Sequence, residues 1–165
     1  MRTDKAKEVV LALYPNKRGI GYAILNGPEE LIEYGQYHAS RLGSAAHIKW
    51  VRNYLDYYEP TLVLLRADHE IFLKSERLKK LIKLIYKETS LQGREVHQYS
   101  RKHIQEVFSS FNSKSKFAIS KKLIEWFPRL KAYAMPYRKE WVSEHTNAGI
   151  FDALSLAITH YYLVD

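Results

Sequence analysis

The chain has 165 residues, with 26 Lys plus Arg against 18 Asp plus Glu and a formal charge of +8 at pH 7. Apolar residues make up 46%, enough to bury a core, which excludes a disordered tail, and 7 Gly with 5 Pro exclude a low-complexity linker. Cysteine is absent, which removes disulfides, thiolate metal sites and cysteine nucleophiles and fits a cytoplasmic location.

The opening residues carry charge without an apolar run, unlike a secretory signal. No window approaches the ~18 apolar residues that a membrane span needs. Val9 to Tyr14 is a short apolar run that predicts a strand closed by a Pro15-Asn16 turn. Gly19 to Leu25 follows as a second strand, then the turn Asn26-Gly27-Pro28 and a third strand from Leu31 to Tyr37. These short connections favour an antiparallel meander.

The period then changes. Ala45, Ile48, Val51, Leu55 and Tyr58 recur at helical spacing, with Ser44 placed to cap the helix and Pro60 to close it. Thr61 to Leu65 reads as a strand buried on both faces. From Phe72 to about Thr89, Leu78, Leu81, Ile82 and Ile85 form an inner stripe, while Lys74, Arg77, Lys80, Lys83 and Lys87 face outward. Gly93 stops that helix. Arg94 to Tyr99 is a weaker fifth strand, and Ser100 caps a short helix ending near Phe108. A polar loop leads to a helix over Lys116 to Phe127, an irregular stretch from Arg129 to His145, and a final helix over about Asn147 to Leu163. The expected fold is α/β: a single ribonuclease H-like domain over 1–165. Its mixed five-stranded sheet has three antiparallel strands, then two parallel ones, and is flanked by helices.

The stretch from Val10 to Leu25 resembles the opening hairpin of the RuvC-like Holliday-junction resolvases: an apolar strand, a Pro-containing turn, then Gly-Tyr and a second strand. Phe151-Asp152-Ala153-Leu154-Ser155-Leu156-Ala157, with His160 behind it, is similar to that family's closing helix. Pro60 to Leu65 matches its fourth strand. The resemblance implies phosphodiester cleavage with two divalent metals held by four carboxylates, a class of site built from hard oxygen ligands. It also implies a homodimer.

The departures from the family's pattern are specific. The first metal-ligating Asp falls on Tyr14, the Glu of the fourth strand on Arg66, and the first Asp of the closing helix on Gly149; Asp152 alone has a carboxylate counterpart. One carboxylate cannot assemble a two-metal site, and Arg66 adds a cation where the family has an anion. The resemblance therefore implies a degenerate centre with no metal expected, or one held by Asp152 if any. Asp68, Glu144 and His145, with Asp152, are candidates for a relocated site that would use Mg or Mn. Alternatively, Asp68 and Glu70 cap the helix that follows them. An Arg66–Asp152 ion pair is the simpler expectation, since it satisfies both charges. Tyr14 either closes the sheet end or offers a base a stacking platform.

Lys17 and Arg18 in the hairpin turn, and Lys114, Lys116, Lys121 and Lys122 around the late helix, are candidate nucleic-acid contacts. Phe117, Trp126, Phe127, Tyr133, Tyr137 and Trp141 lie among these lysines, Arg129, Lys131, Arg138 and Lys139. Phe117, Leu123 and Phe127 also fit an ordinary core face. The functional expectation is a nucleic-acid-binding protein, with branched or single-stranded DNA as partner and without the standard nuclease centre. An active endonuclease with displaced ligands and a protein-interaction module on the same scaffold are the alternatives. The turn Tyr14 to Gly19 lacks the Asp of actin-like ATPases, and the seven histidines show no close-spaced zinc pattern.

Overall fold

The computed structural model describes residues 8–39, 43–70, 73–137 and 144–164. Five strands form one sheet: β1 (Val10–Asn16), β2 (Gly19–Leu25), β3 (Leu31–His38), β4 (Leu62–Arg66) and β5 (Glu95–Tyr99). Their spatial order is β3-β2-β1-β4-β5. β1–β2 and β2–β3 are antiparallel, while β1–β4 and β4–β5 are parallel. The helices are α1 (Gly43–Tyr58), α2 (Glu76–Leu91), α3 (Arg101–Ser109), α4 (Lys116–Trp126) and α5 (Ala148–Val164), with a 3-10 turn at Pro128–Tyr133 before α5. The mixed ribonuclease H-like sheet follows the expected element order.

Successive side chains on a strand point to opposite faces, and β1 divides the core accordingly. Val10, Ala12 and Tyr14 enter the apolar cluster shared with α3, α4 and α5. Leu11 and Leu13 enter the cluster shared with α1 and α2. β4 does the same, with Leu62 and Leu64 on the first side and Val63 and Leu65 on the second. Continuing that alternation puts Arg66 on the face of Tyr14.

Helix α5 is buried throughout Ala148 to His160. Two of its hydroxyls bond within the helix itself. Ser155 Oγ donates to the Asp152 carbonyl and Thr159 Oγ1 to the Ser155 carbonyl, each at 2.7 Å. His160 Nδ1 meets the Tyr99 hydroxyl at 2.8 Å. The helix approaches the sheet closely because Gly21 of β2 faces Gly149, and a Cβ on Gly21 would collide with the Gly149 backbone.

Several boundaries differ from the sequence expectation. β1 runs through Pro15 and Asn16, so the hairpin turn is Lys17-Arg18. Proline is tolerated there because the pairing of β1 with β4 ends at Leu13–Leu65, beyond which no donor is needed on that side. Ser44 lies inside α1 rather than capping it. α2 starts at Glu76, capped by Ser75, whose Oγ accepts from the Leu78 amide at 3.2 Å; Phe72 lies outside the described residues. Part of the stretch expected to be irregular, Pro128–Tyr133, is a 3-10 turn, which Pro128 favours at its first position.

Candidate functional site

Tyr14, Arg66, Gly149 and Asp152 come from three separate elements and line one cleft with a volume of about 850 Å³. Its wall also carries Asn16, Lys17, Arg18, Lys74, Ser75, Lys116, Glu144 and His145. The positions singled out in β1, β4 and the last helix are therefore neighbours in space.

Arg66 does not pair with Asp152. Its guanidinium lies over the Tyr14 ring, 4.5 Å from the centroid, and its Nη1 donates to the Pro15 carbonyl at 2.9 Å. Its charged partner is Glu70, at 3.6 Å. The Nε of Arg66 is buried and has no hydrogen-bond partner among the described residues. Glu70 also accepts from the Arg101 amide at 2.9 Å, so it serves the N-terminus of α3 instead of a helix beginning at Phe72.

Asp152, on α5, is held by two other cations. Lys116 Nζ lies 3.2 Å from its Oδ2 and Arg101 3.9 Å from its Oδ1. The Lys116 ammonium also donates to Glu144 in a short ion pair and sits 5.9 Å from the Tyr14 ring centroid. Lys116 is the first residue of α4, whose Ser115 cap accepts from the Ala118 amide at 3.0 Å. A cation in the first turn opposes the helix dipole, so the two carboxylates are what draw it inward.

Burial pushes the Tyr14 hydroxyl up to about 12, and the charge of Asp152 adds to this, while Arg66 and Lys116 pull the other way. At neutral pH the ring is an uncharged phenol, 2% exposed. That burial removes the stacking-platform reading of Tyr14. Desolvation opposes the charge on Lys116, but Asp152, Tyr14 and Glu144 outweigh it and hold its pKa above the ordinary lysine value.

Of the candidates for a relocated metal site, Glu144 and His145 line the cleft with Asp152. Asp68 does not: it faces Lys83 at 3.9 Å and His69 at 3.6 Å. His145 Nδ1 accepts from the Asn147 amide at 3.1 Å, ahead of α5. Among the described residues, no three His, Asp or Glu side chains are grouped to hold a metal ion.

The basic candidates separate in the same way. Lys17 and Arg18 are exposed in the hairpin turn at the cleft, and Arg18 Nη2 donates to the Glu144 carbonyl at 3.0 Å. Lys116 lines the cleft. Lys114 is exposed outside it, Lys121 lies 5.0 Å from the Phe117 ring centroid, and Lys122 pairs with Glu125 at 2.9 Å. Phe127 and Leu123 are core, Trp126 packs on Phe111 at 4.9 Å, and Tyr133 packs on Tyr34 at 5.4 Å. Tyr137 packs edge-on to Phe117, while Arg138, Lys139 and Trp141 lie outside the described residues.

Sequence reasoning missed the Asn16–Gln36 amide pair, which exchanges bonds of 3.0 and 3.2 Å beside Gly149. It also missed Arg101, and it set Lys74 on the outward face of a helix, whereas Lys74 precedes α2 and lines the cleft. None of these carried a local signal; their relevance comes from which strand ends and helix starts meet.

No family model and no curated protein matches the sequence. Solved structures do. Thermus thermophilus RuvC superposes with a TM-score of 0.65 at 13% identity, over 94% of this chain and 95% of that one. The same protein in complex with a Holliday junction substrate gives 0.61 at 13% identity, over 95% and 94%. Fowlpox virus resolvase, in complex with Holliday junction DNA, gives 0.53 at 15% identity, over 92% and 98%. Identity this low speaks to architecture, and the agreement extends over nearly the whole of each chain. The chain has the ribonuclease H-like fold of the RuvC-type resolvases.

Proposed function

We propose that this protein binds nucleic acid, branched or single-stranded DNA first, through the cleft beside Asp152, and that it lacks the standard two-metal nuclease centre. The observation that carries this reading is the Lys116 ammonium seated against Asp152, Glu144 and the Tyr14 ring. The resemblance implies carboxylates at Tyr14, Arg66 and Gly149, and these side chains fit no divalent metal: one is a buried phenol, one a cation and one has no donor. Two divalent ions need several oxygen ligands, and the two carboxylates that line the cleft among the described residues already face a cation.

Binding is supported by Lys17, Arg18 and Lys74 at the cleft and by the net charge of +8. It is also supported by likeness to resolvases whose structures contain junction DNA. A homodimer, which the resemblance implies, would present two such clefts to one junction; light scattering checks the mass.

The test is fluorescence anisotropy with four-way junction, single-stranded and duplex DNA over about 50 to 200 mM salt. Affinity is expected to fall steeply with salt, and K17A/R18A to reduce the log–log slope by about 2 if each contacts one phosphate. No affinity at low salt from a folded protein overturns the reading and leaves the protein-interaction module. Cleavage in Mg²⁺ or Mn²⁺ that Asp152→Asn abolishes overturns the loss of the centre.

A further inference from the structure

We propose that a second, smaller cavity between α1 and α2 is a pocket for a phosphate group, held by Lys17 and Arg77. The phosphate it takes belongs to a nucleic-acid backbone. That source rests on nucleic acid occupying the cleft beside Asp152; the pocket itself does not.

The cavity is built from three elements: Lys17 comes from the hairpin turn between β1 and β2, His47 from α1, and Ser75, Arg77, Leu78 and Leu81 from α2 and its cap. Its volume of about 170 Å³ is an order of magnitude above the roughly 10–15 Å³ that one water requires, so it admits an anion with water around it. Lys17 and Arg77 bring two positive charges, and no carboxylate lines the cavity among the described residues. The cleft differs, because there Glu144 and Asp152 already face Lys116. The side chains of Lys17 and Arg77 have no hydrogen-bond or ion-pair partner among the described residues.

Placement on the helix points the same way. Arg77 is the second residue of α2, where a cation opposes the helix dipole. The acid of that turn, Glu76, pairs with Lys79 at 3.4 Å, so Arg77 is left to an anion from solvent. Ser75 Oγ accepts from the Leu78 amide at 3.2 Å, and its own O–H remains a donor. Asn16 is already committed: its Nδ2 donates to Gln36 at 3.0 Å and its Oδ1 accepts from the Arg18 amide at 2.9 Å. Those bonds fix the hairpin tip that carries Lys17. A guanidinium, an ammonium and a hydroxyl arriving from two sides suit an anion with several acceptor oxygens, which a phosphate group is.

The pocket adjoins the cleft, since Asn16, Lys17, Ser75 and Leu78 line both. Lys17 stands between the two. A strand leaving the cleft over the hairpin tip carries its next phosphates toward Arg77. A free phosphomonoester has the same chemistry, and two arms of one experiment separate these sources.

The first arm uses the full chain and inorganic phosphate alone, read by thermal unfolding against chloride at equal ionic strength. In about 10 mM phosphate the natural chain is expected to melt about 3 °C higher than in chloride. R77A and K17A are each expected to lose most of that shift, whereas K87A, which removes an exposed lysine further along α2, is expected to keep it. Because Arg77 is exposed and opposes the dipole, R77A is expected to melt no lower than the natural chain in chloride, which separates a lost ligand from a damaged fold. A phosphate shift that R77A retains, one that K87A loses equally, or none beyond that in chloride overturns the proposal.

The second arm measures junction DNA binding by anisotropy over about 50 to 200 mM salt. R77A is expected to bind at least threefold more weakly, with a log–log slope reduced by about 1. Unchanged affinity and slope in R77A overturn the backbone as the source and assign the pocket to a free phosphomonoester. If the natural chain binds no DNA at all, the reading of the cleft falls and the first arm decides the pocket alone.

Discussion

Tyr14 and Lys116 set an alkaline limit on the protein. Tyr14 keeps its proton in the folded chain up to about 12, whereas an unfolded tyrosine releases it near the ordinary value of 10.0. The folded state then holds more protons than the unfolded one between those values, so stability is complete below pH 10 and falls as pH rises through that window. Lys116 acts in the same direction, because its raised pKa makes its contribution complete below the ordinary value of 10.5 and lost above it. Urea midpoints at pH 9, 10 and 11 should decline in the natural chain and decline less in Tyr14→Phe; equal slopes would refute the assignment. Glycine chemistry gives a second prediction at this scale. An alanine at Gly21 meets rigid backbone at Gly149, while one at Gly149 meets the ends of the Gln36 and Asn16 side chains, which can turn aside. Gly21→Ala should therefore cost roughly 2–3 kcal/mol and Gly149→Ala clearly less, measured by chemical denaturation. A Gly149 that proved the more costly would mean the amide pair is rigid.

At the scale of elements, the joint between α5 and β5 is sensitive to acid. His160 accepts or donates at the Tyr99 hydroxyl and faces His97 edge-on at 5.5 Å. Burial lowers its pKa from the ordinary 6.5, with the charge of His97 acting in the same sense and Glu8 and Glu95 opposing. A histidine kept neutral by the fold stabilises fully above pH 6.5, and the fold loses ground as pH falls below it, since the unfolded chain takes up the proton first. The melting temperature should drop between pH 7 and 5.5, and His160→Asn, which keeps an acceptor near the Nδ1 position, should flatten that drop. An identical pH profile in the variant would remove His160 as the cause. α2 offers a simpler check: Ser75→Ala removes the bond to the Leu78 amide and should cost about 1 kcal/mol in urea unfolding.

Periodicity made these elements legible. Alternation in β1 and β4 and the Leu78, Leu81, Ile82, Ile85 stripe of α2 depend only on neighbours along the chain, and so they were readable. The Ser44 cap and the Pro15-Asn16 turn were misplaced because local chemistry proposes such stops while tertiary pairing decides them: β1 continues as long as β2 pairs with it.

For the whole molecule, the sequence indicated which positions would meet but not which charges would pair. Asp152 and Arg66 do line one cleft, as the element order required. Yet the cations reaching Asp152 are Lys116, 36 residues away along the chain, and Arg101, while Arg66 turns to Glu70 and the Tyr14 ring. Ion-pair choice depends on side-chain reach across a folded cleft, which no spacing rule encodes. The same applies to the basic surface: among the six lysines and arginines named as candidate nucleic-acid contacts, Lys17, Arg18 and Lys116 are at the cleft and the others are not.

Complete enclosure of α5 from Ala148 to His160 has a mechanical corollary. A rod packed on every side cannot tilt without opening the interior, so Asp152 is a fixed datum. Whatever settles beside it must be accommodated by the better-solvated walls, the hairpin tip and the start of α4. In hydrogen–deuterium exchange, the backbone of α5 should be the slowest to label, with or without a guest, while Lys17, Arg18 and the first turn of α4 should register its arrival. Guest-induced change concentrated in α5 would show that the rod is not the anchor its packing implies.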